Sequence, residues 1–391
     1  MENYIFQNKD KKVLMAGMAI GILCLVWSFV DSAQRGWVNY LTGSFYFLSL
    51  ALGGLVFVSI SNLAGASWFV PFKRLPESFA SFLPLAFLLM LGLFGGIHTL
   101  YEWSHHDVVA ADPILQGKQP YLNSPFFMIR TVIFFVLWFL VSHFLRKTSA
   151  QQGRGDAATL AGKLHKWSAL FLIVFAFSYS LACVDWIMSL KPHWFSTIFA
   201  VYNFSGLFVN TLAFLVVLVL WLQKQGYLRD VVNEEHFHDL GKFIFGFATF
   251  WAYIWFSQYI LIWYSNIPEE TAYFVVREEG AWSFLFYFNL FGNWIIPFAA
   301  LMTFKSKRNT NILLTVSIAL LLFRWLDIYL MVAPDVFAHA GIKGVPFPLA
   351  EMGVAVGFFS LFSFILLRSL QKGKLLPKED PFYLEGVHFK Q

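Results

Sequence analysis

Ten runs of mainly apolar residues, each long enough to cross roughly 30 Å of hydrocarbon as a helix, leave this chain almost no other way to fold. They fall at 13–30, 41–61, 82–100, 124–145, 167–190, 196–222, 242–264, 281–303, 311–332 and 348–368. Inside lipid every backbone N–H and C=O must be satisfied within the segment, which selects helices. The predicted fold class is therefore all-α integral membrane, with about ten transmembrane helices in a single polytopic domain over 1–391 and a tail at 369–391. Pro71, Pro76, Pro113, Pro120, Pro192, Pro268, Pro334 and Pro346 punctuate the gaps. The longest loops, Tyr101–Asn123 and Gln223–Gly241, are too short for an extramembrane domain. Within the second, the segment from Leu228 to Phe237 reads as a short interfacial helix. The tail, with Pro377 and Pro381, reads as extended and available to a neighbour.

Composition excludes a soluble globule: 13% of residues are charged, against about 25% in an ordinary soluble domain. The 47 Phe, 15 Trp and 15 Tyr suit lipid-facing and interfacial positions. A polar 1–12 followed by a run of spanning length, without a small-residue cleavage site, reads as a retained first helix. Cys24 and Cys183 lie in separate apolar runs, which argues against a disulfide and excludes four-cysteine metal or cluster sites.

The net charge of +5 has a topological reading and no nucleic-acid partner is expected from it. With the N-terminus in the cytoplasm, about 21 Lys/Arg fall inside, among them Lys9, Lys11, Lys12, Lys73, Arg74, Arg146 to Lys166, Lys305 to Arg308 and the tail. Arg35, Lys118, Lys191, Arg277 and Lys343 fall outside. The positive-inside rule thus predicts a multi-pass protein with both termini cytoplasmic.

Charged groups within a bilayer cost about 2.5–3.5 kcal/mol each at the centre, so each needs a partner, water or a function. Asp31, His98, Glu102, Arg130, Asp185, Asn203, Gln258, Arg324, Asp327 and Glu351 all fall in the outer halves of their predicted helices. The inner halves are nearly bare, with His143 at the interface. This pattern predicts a polar cavity open to the outer phase, suited to quinol binding, proton conduction or plain hydration. His98 and Glu102, four apart, would share a helix face as a relay pair or as mutual hydrogen-bond partners. Arg324 and Asp327, three apart, would form an internal ion pair. Asp185 has no cation nearby in sequence, which leaves protonation or pairing with Arg130 or Arg324 across helices. Glu351, opening the tenth run, reads as interfacial, with cavity lining as the alternative. Asp185 near the end of the fifth run and Asp327 near the end of the ninth hint at a duplication, with two four-helix bundles flanked by the first and last helices.

No Cys-x-x-Cys-His haem attachment, nucleotide-binding or Walker motif is present. Only His98 lies where a haem b ligand would, since His143 and His165 sit at the opposite interface. His105-His106-Asp107 reads as a solvated loop.

Three stretches resemble a known family: Asp185-Trp-Ile-Met-Ser-Leu-Lys-Pro-His-Trp-Phe-Ser-Thr-Ile-Phe199, Trp255-Phe-Ser-Gln-Tyr-Ile-Leu-Ile-Trp-Tyr-Ser-Asn-Ile-Pro-Glu-Glu-Thr271, and Leu376-Pro-Lys-Glu-Asp-Pro381. They look like the ActF-type membrane subunit of bacterial alternative complex III, within the NrfD-like (polysulfide-reductase) membrane-subunit family. The resemblance implies two four-helix bundles and an inner-membrane quinol:cytochrome c or terminal-oxidase oxidoreductase complex. It also implies partners: multihaem and monohaem cytochromes c, a periplasmic iron–sulfur subunit, a paralogous ten-helix quinol-binding subunit, a terminal oxidase, and surrounding lipids. Menaquinol or ubiquinol would be the reductant, with haems c and iron–sulfur clusters held only by partners. His98, Glu102 and Asp185 would then serve as proton acceptors. Two rival readings are a secondary transporter, suggested by Pro297 and Gly95-Gly96 inside spans, and a purely structural scaffold subunit.

Overall fold

The computed structural model describes residues 3–153, 156–342 and 348–390. Arg154, Lys343 and Pro346, which figure in the sequence reading, lie outside the described residues. Each expected run has its helix: Asn8–Asp31, Ala33–Leu63, Val70–Leu100, Ser124–Ala150, Ala157–Leu190, Phe199–Lys224, Glu234–Ser265, Trp282–Ala300, Thr310–His339 and Leu349–Leu370. These are the first to tenth spans below. No strand occurs among the described residues, and one antiparallel bridge, Asn3 with Lys374, places both chain ends at the same end of the molecule. The chain is an all-α, multi-pass membrane protein.

Spans two to five close one four-helix bundle and spans six to nine a second. The second and sixth spans are almost wholly enclosed and join the bundles, whereas the first turns most of its surface outward. The first and tenth spans pair along a strip of small residues. A Cβ on Gly21 would lie 2.2 Å from the Gly357 Cα, and one on Gly17 would strike the Ser360 hydroxyl. Only glycine allows this approach, the close packing that small residues four apart give membrane helices.

Polar side chains start several spans by binding N–H groups that the first helical turn leaves free. Asn123 accepts from the Phe126 N–H, Asp156 from Thr159, and Asn309 from Asn311 and Ile312. Two spans are interrupted. The third tightens to a 3₁₀ turn over Leu93–Gly96, where the Trp37 ring fills the space a Cβ on Gly96 would need. It ends at Leu100, with Tyr101 extended. The eighth widens to a π turn over Phe291–Ile295, just ahead of Pro297, which lacks the N–H an α-helix requires.

Two loop expectations are corrected. The segment from Leu228 is a string of turns, with Leu228 at φ 60°, and helix resumes only at Glu234. The tail is not extended but folds back on its own chain. Lys73 and Asp380 form a buried ion pair, Ser67 donates to Glu385 (2.9 Å), and the His236 Nε2–H donates to the Gly386 carbonyl (3.1 Å).

Candidate functional site

Arg324, Asp327, Asp335 and His339 follow one another along the ninth span at helical spacings, so they stack near one face over about 22 Å. Each is engaged by a different part of the chain. At the far end, His339 Nε2 lies 2.9 Å from Glu102 Oε1. One turn deeper, Asp335 accepts from Arg277 Nη2 at 2.6 Å, with Lys191 Nζ 3.5 Å away. Pro334 cannot donate to the Leu330 carbonyl four residues back, and Arg277 Nε takes that place at 2.9 Å. Deeper still, Asp327 accepts from the Tyr202 hydroxyl, from Asn289 Nδ2 at 2.7 Å and from Arg324 Nη1. The Arg324 guanidinium lies on Gly206, where any Cβ would strike it. The Arg324 Nε and Trp251 Nε1 groups are buried without a partner among the described residues.

The first bundle carries a matching pair. Arg130 grips Asp185 with two bonds, Nε to Oδ2 at 2.7 Å and Nη2 to Oδ1 at 3.0 Å, and gives a third to the Tyr121 carbonyl at 2.8 Å. The Tyr121 ring lies 3.8 Å from its Cζ. Of the partners open to Asp185 in the sequence, the fold selects Arg130. In both bundles the aspartate of the last helix is bound by a side chain of the helix before it, Arg130 for Asp185 and Asn289 for Asp327, in keeping with the suspected duplication.

Other candidates are placed differently from expectation. His98 and Glu102 do not share a helix face, because the third span stops between them. His98 Nδ1 meets Ser104 Oγ (3.0 Å), its carbonyl accepts from His105 Nε2 (2.7 Å), and Glu102 turns to His339. Glu351, in the first turn of the tenth span, is enclosed by protein. It receives Arg35 Nε and Nη2, both at 2.8 Å, while Arg35 Nη1 reaches Asp31 at 3.0 Å. That cluster ties the first, second and tenth spans together. Gln258 accepts from Ser196 Oγ at 2.9 Å, and Asn203 donates to the Phe199 carbonyl at 3.0 Å within its own helix. Arg324 and Asp327 sit near mid-length of a helix that continues to His339.

A cavity of about 410 Å³ at the end away from the termini is lined by Tyr259, Trp263, Phe274 and Glu278, among others, and a larger one opens at the termini end; none of the ten polar candidates lines either. Asp335, Asn289 and Tyr202 escaped the sequence reading. The recurrence of charge at 324, 327, 335 and 339 was the signal available for Asp335. No group of three or more His, Cys, Asp or Glu among the described residues is placed to hold a metal ion.

Glu102 lies outside the spans, and the hydrogen bond from His339 holds its carboxyl below the ordinary value of 4.5, with the charges of His339, His193 and Lys191 adding to the effect. A lowered folded pKa means that the contact contributes stability above the unfolded value and loses it as pH falls through the folded one. Amide exchange in 102–118, corrected for intrinsic rate, is therefore expected to accelerate below pH 4.5. Glu102→Gln should raise exchange at neutral pH and flatten this acid dependence. An unchanged profile would show that Glu102 does not hold the segment.

No protein-family model matches this chain, and no curated protein matches it.

Proposed function

We propose that this chain is a membrane subunit of a quinol:cytochrome c, or quinol:terminal-oxidase, oxidoreductase complex of the bacterial inner membrane, with both termini cytoplasmic. The three family-like stretches and the two-bundle architecture support this reading. The observation that carries its chemical part is the ladder on the ninth span, where acid–base groups descend from one end of the molecule to mid-helix. Quinol oxidation releases two protons and two electrons; haems c or iron–sulfur clusters of partner subunits take the electrons. A quinol ring does not fit between Arg130 and Asp185 or between Arg324 and Asp327, since each pair is closed by its own bonds. The role we assign to this chain is therefore proton transfer. His339, Glu102 and Asp335 exchange protons near the aqueous end, and Tyr202 holds a hydroxyl proton against Asp327 at the inner end of the ladder. The interruptions in spans three and eight favour a transporter little, because the Trp37 and Phe323 rings fill them.

The test is purification from native membranes by a tag on this chain, with a reduced-minus-oxidised spectrum and mass spectrometry of whatever accompanies it. A c-type haem spectrum with an iron–sulfur protein in the eluate is expected; a colourless, stable single polypeptide would overturn the assignment. Within such a complex, Asp327→Asn should lower quinol turnover by about tenfold or more at unchanged haem content. Unaltered turnover would leave the scaffold role.

A further inference from the structure

The larger cavity, about 1050 Å³, opens at the termini end between the third, fourth and tenth spans and the folded-back tail. One wall is apolar, built from Pro84, Val136, Phe139 and Leu140, and Val136 and Leu140 are also about half exposed on the outer surface of the fourth span. The rim is basic, with Arg74, Arg146, Lys147, Lys374 and Lys378. Its three carboxylates already have partners: Glu77 has Arg74 at 2.8 Å, Asp380 has Lys73, and Glu379 has Lys374 at 3.2 Å. Arg146, by contrast, has no hydrogen bond or ion pair among the described residues. Beside it Gln152 lines the same cavity, only 6% exposed, and its amide Nε2 has no acceptor among the described residues.

A buried amide donor without an acceptor is costly, and so is a half-buried guanidinium whose nearby carboxylate, Glu77, is already bonded to Arg74 and Ser149. Both call for an anionic oxygen, and the adjoining lipid-facing wall calls for hydrocarbon. We infer that this cavity binds an anionic phospholipid, its phosphodiester held by Arg146, Gln152 Nε2 and Lys147 and an acyl chain laid along Val136, Phe139 and Leu140. Basic pockets between membrane helices recognise such head groups through these two contacts. A neutral quinone would meet the apolar wall but leave the surplus positive charge unmatched. Free phosphate would do the reverse. Since the tail supplies Lys374 to Asp380, the lipid also fastens the C-terminus to the bundle.

The test uses the full chain, with any subunits that purify with it, stripped of lipid in detergent and titrated separately with phosphatidylglycerol, phosphatidylcholine, inorganic phosphate and a short-chain quinone. Native mass spectrometry counts bound lipid and the thermal midpoint reports its effect. Phosphatidylglycerol should bind and raise the midpoint, and the other three should not. Arg146→Gln should weaken phosphatidylglycerol binding ~5-fold or more. Lys147→Gln, at an exposed position, should do so to a smaller degree, and serves should the first variant fold poorly. Equal binding of phosphatidylcholine, occupancy by phosphate alone, displacement by quinone, or wild-type affinity in both variants would each overturn the inference.

Discussion

Replacing Arg130 by methionine is expected to lower the unfolding free energy by about 3–5 kcal/mol, because it leaves Asp185 as an uncompensated charge in a dry site. Asp185 has no exposed surface, and Arg130 supplies both of its charged bonds. The attraction and the cost of desolvation are both large here, and the pair survives because they nearly cancel. Removing both charges should then be far milder than removing one. The double variant Arg130→Met with Asp185→Leu is expected to recover most of the loss, as buried ion pairs replaced by apolar side chains of similar volume often do. Equilibrium unfolding in mixed micelles would measure both. If the double variant is as damaged as the single one, the loss lies in the bond from Arg130 to the Tyr121 carbonyl, or in the guanidinium's packing on the Tyr121 ring.

Gly357→Leu should separate the first span from the tenth. Its Cβ would fall 2.4 Å from the Gly21 Cα, and that contact is backbone, which no rotamer change relieves. Overpacking at flexible positions costs about 1–3 kcal/mol, and this position belongs at or above the top of that range. The native cysteines make the outcome readable. Cys24 faces Gly353 across the same seam, whereas Cys183 is fully buried elsewhere. A membrane-permeable maleimide is expected to label Cys24 about tenfold faster in the variant, with Cys183 as the unreactive reference. Unchanged labelling would mean that the two helices do not meet at this seam.

The ten spans were legible because hydropathy over about twenty residues reports directly on what lipid tolerates. Their ends were less so. The ninth span was expected to stop at Val332, since Pro334 and Asp335 look like surface residues. They are enclosed instead, because Arg277 supplies both the counter-charge to Asp335 and the donor that Pro334 lacks. A hydropathy window cannot distinguish a polar residue in water from one satisfied by a distant arginine. The His98–Glu102 pairing failed for a related reason. Spacing by four implies neighbours only while the helix continues, and the Trp37 ring over Gly96 already distorts it one turn earlier. The ion pair of Arg324 with Asp327 was legible, being local to one helix. The ties of Asp185 to Arg130 and of Glu351 to Arg35 depend on which helices touch, and sequence spacing does not carry that. Sequence spacing likewise gives no sign that Asp185 and Glu351 are each gripped by two bonds from one arginine.

The pairing of the first span with the last constrains how the molecule is made. At about 5–20 residues per second, Gly357 follows Gly21 out of the ribosome by ~20–70 s. Through that interval the glycine strip of the first helix faces lipid or a chaperone, and Arg35 lacks the carboxylate of Glu351. Both four-helix bundles are complete before this seam can close. Closing it is thus a final step, and a nascent chain cut short between His339 and Leu349 would hold both bundles beside a first helix whose glycine strip has no partner, a defined species for quality-control proteases to recognise.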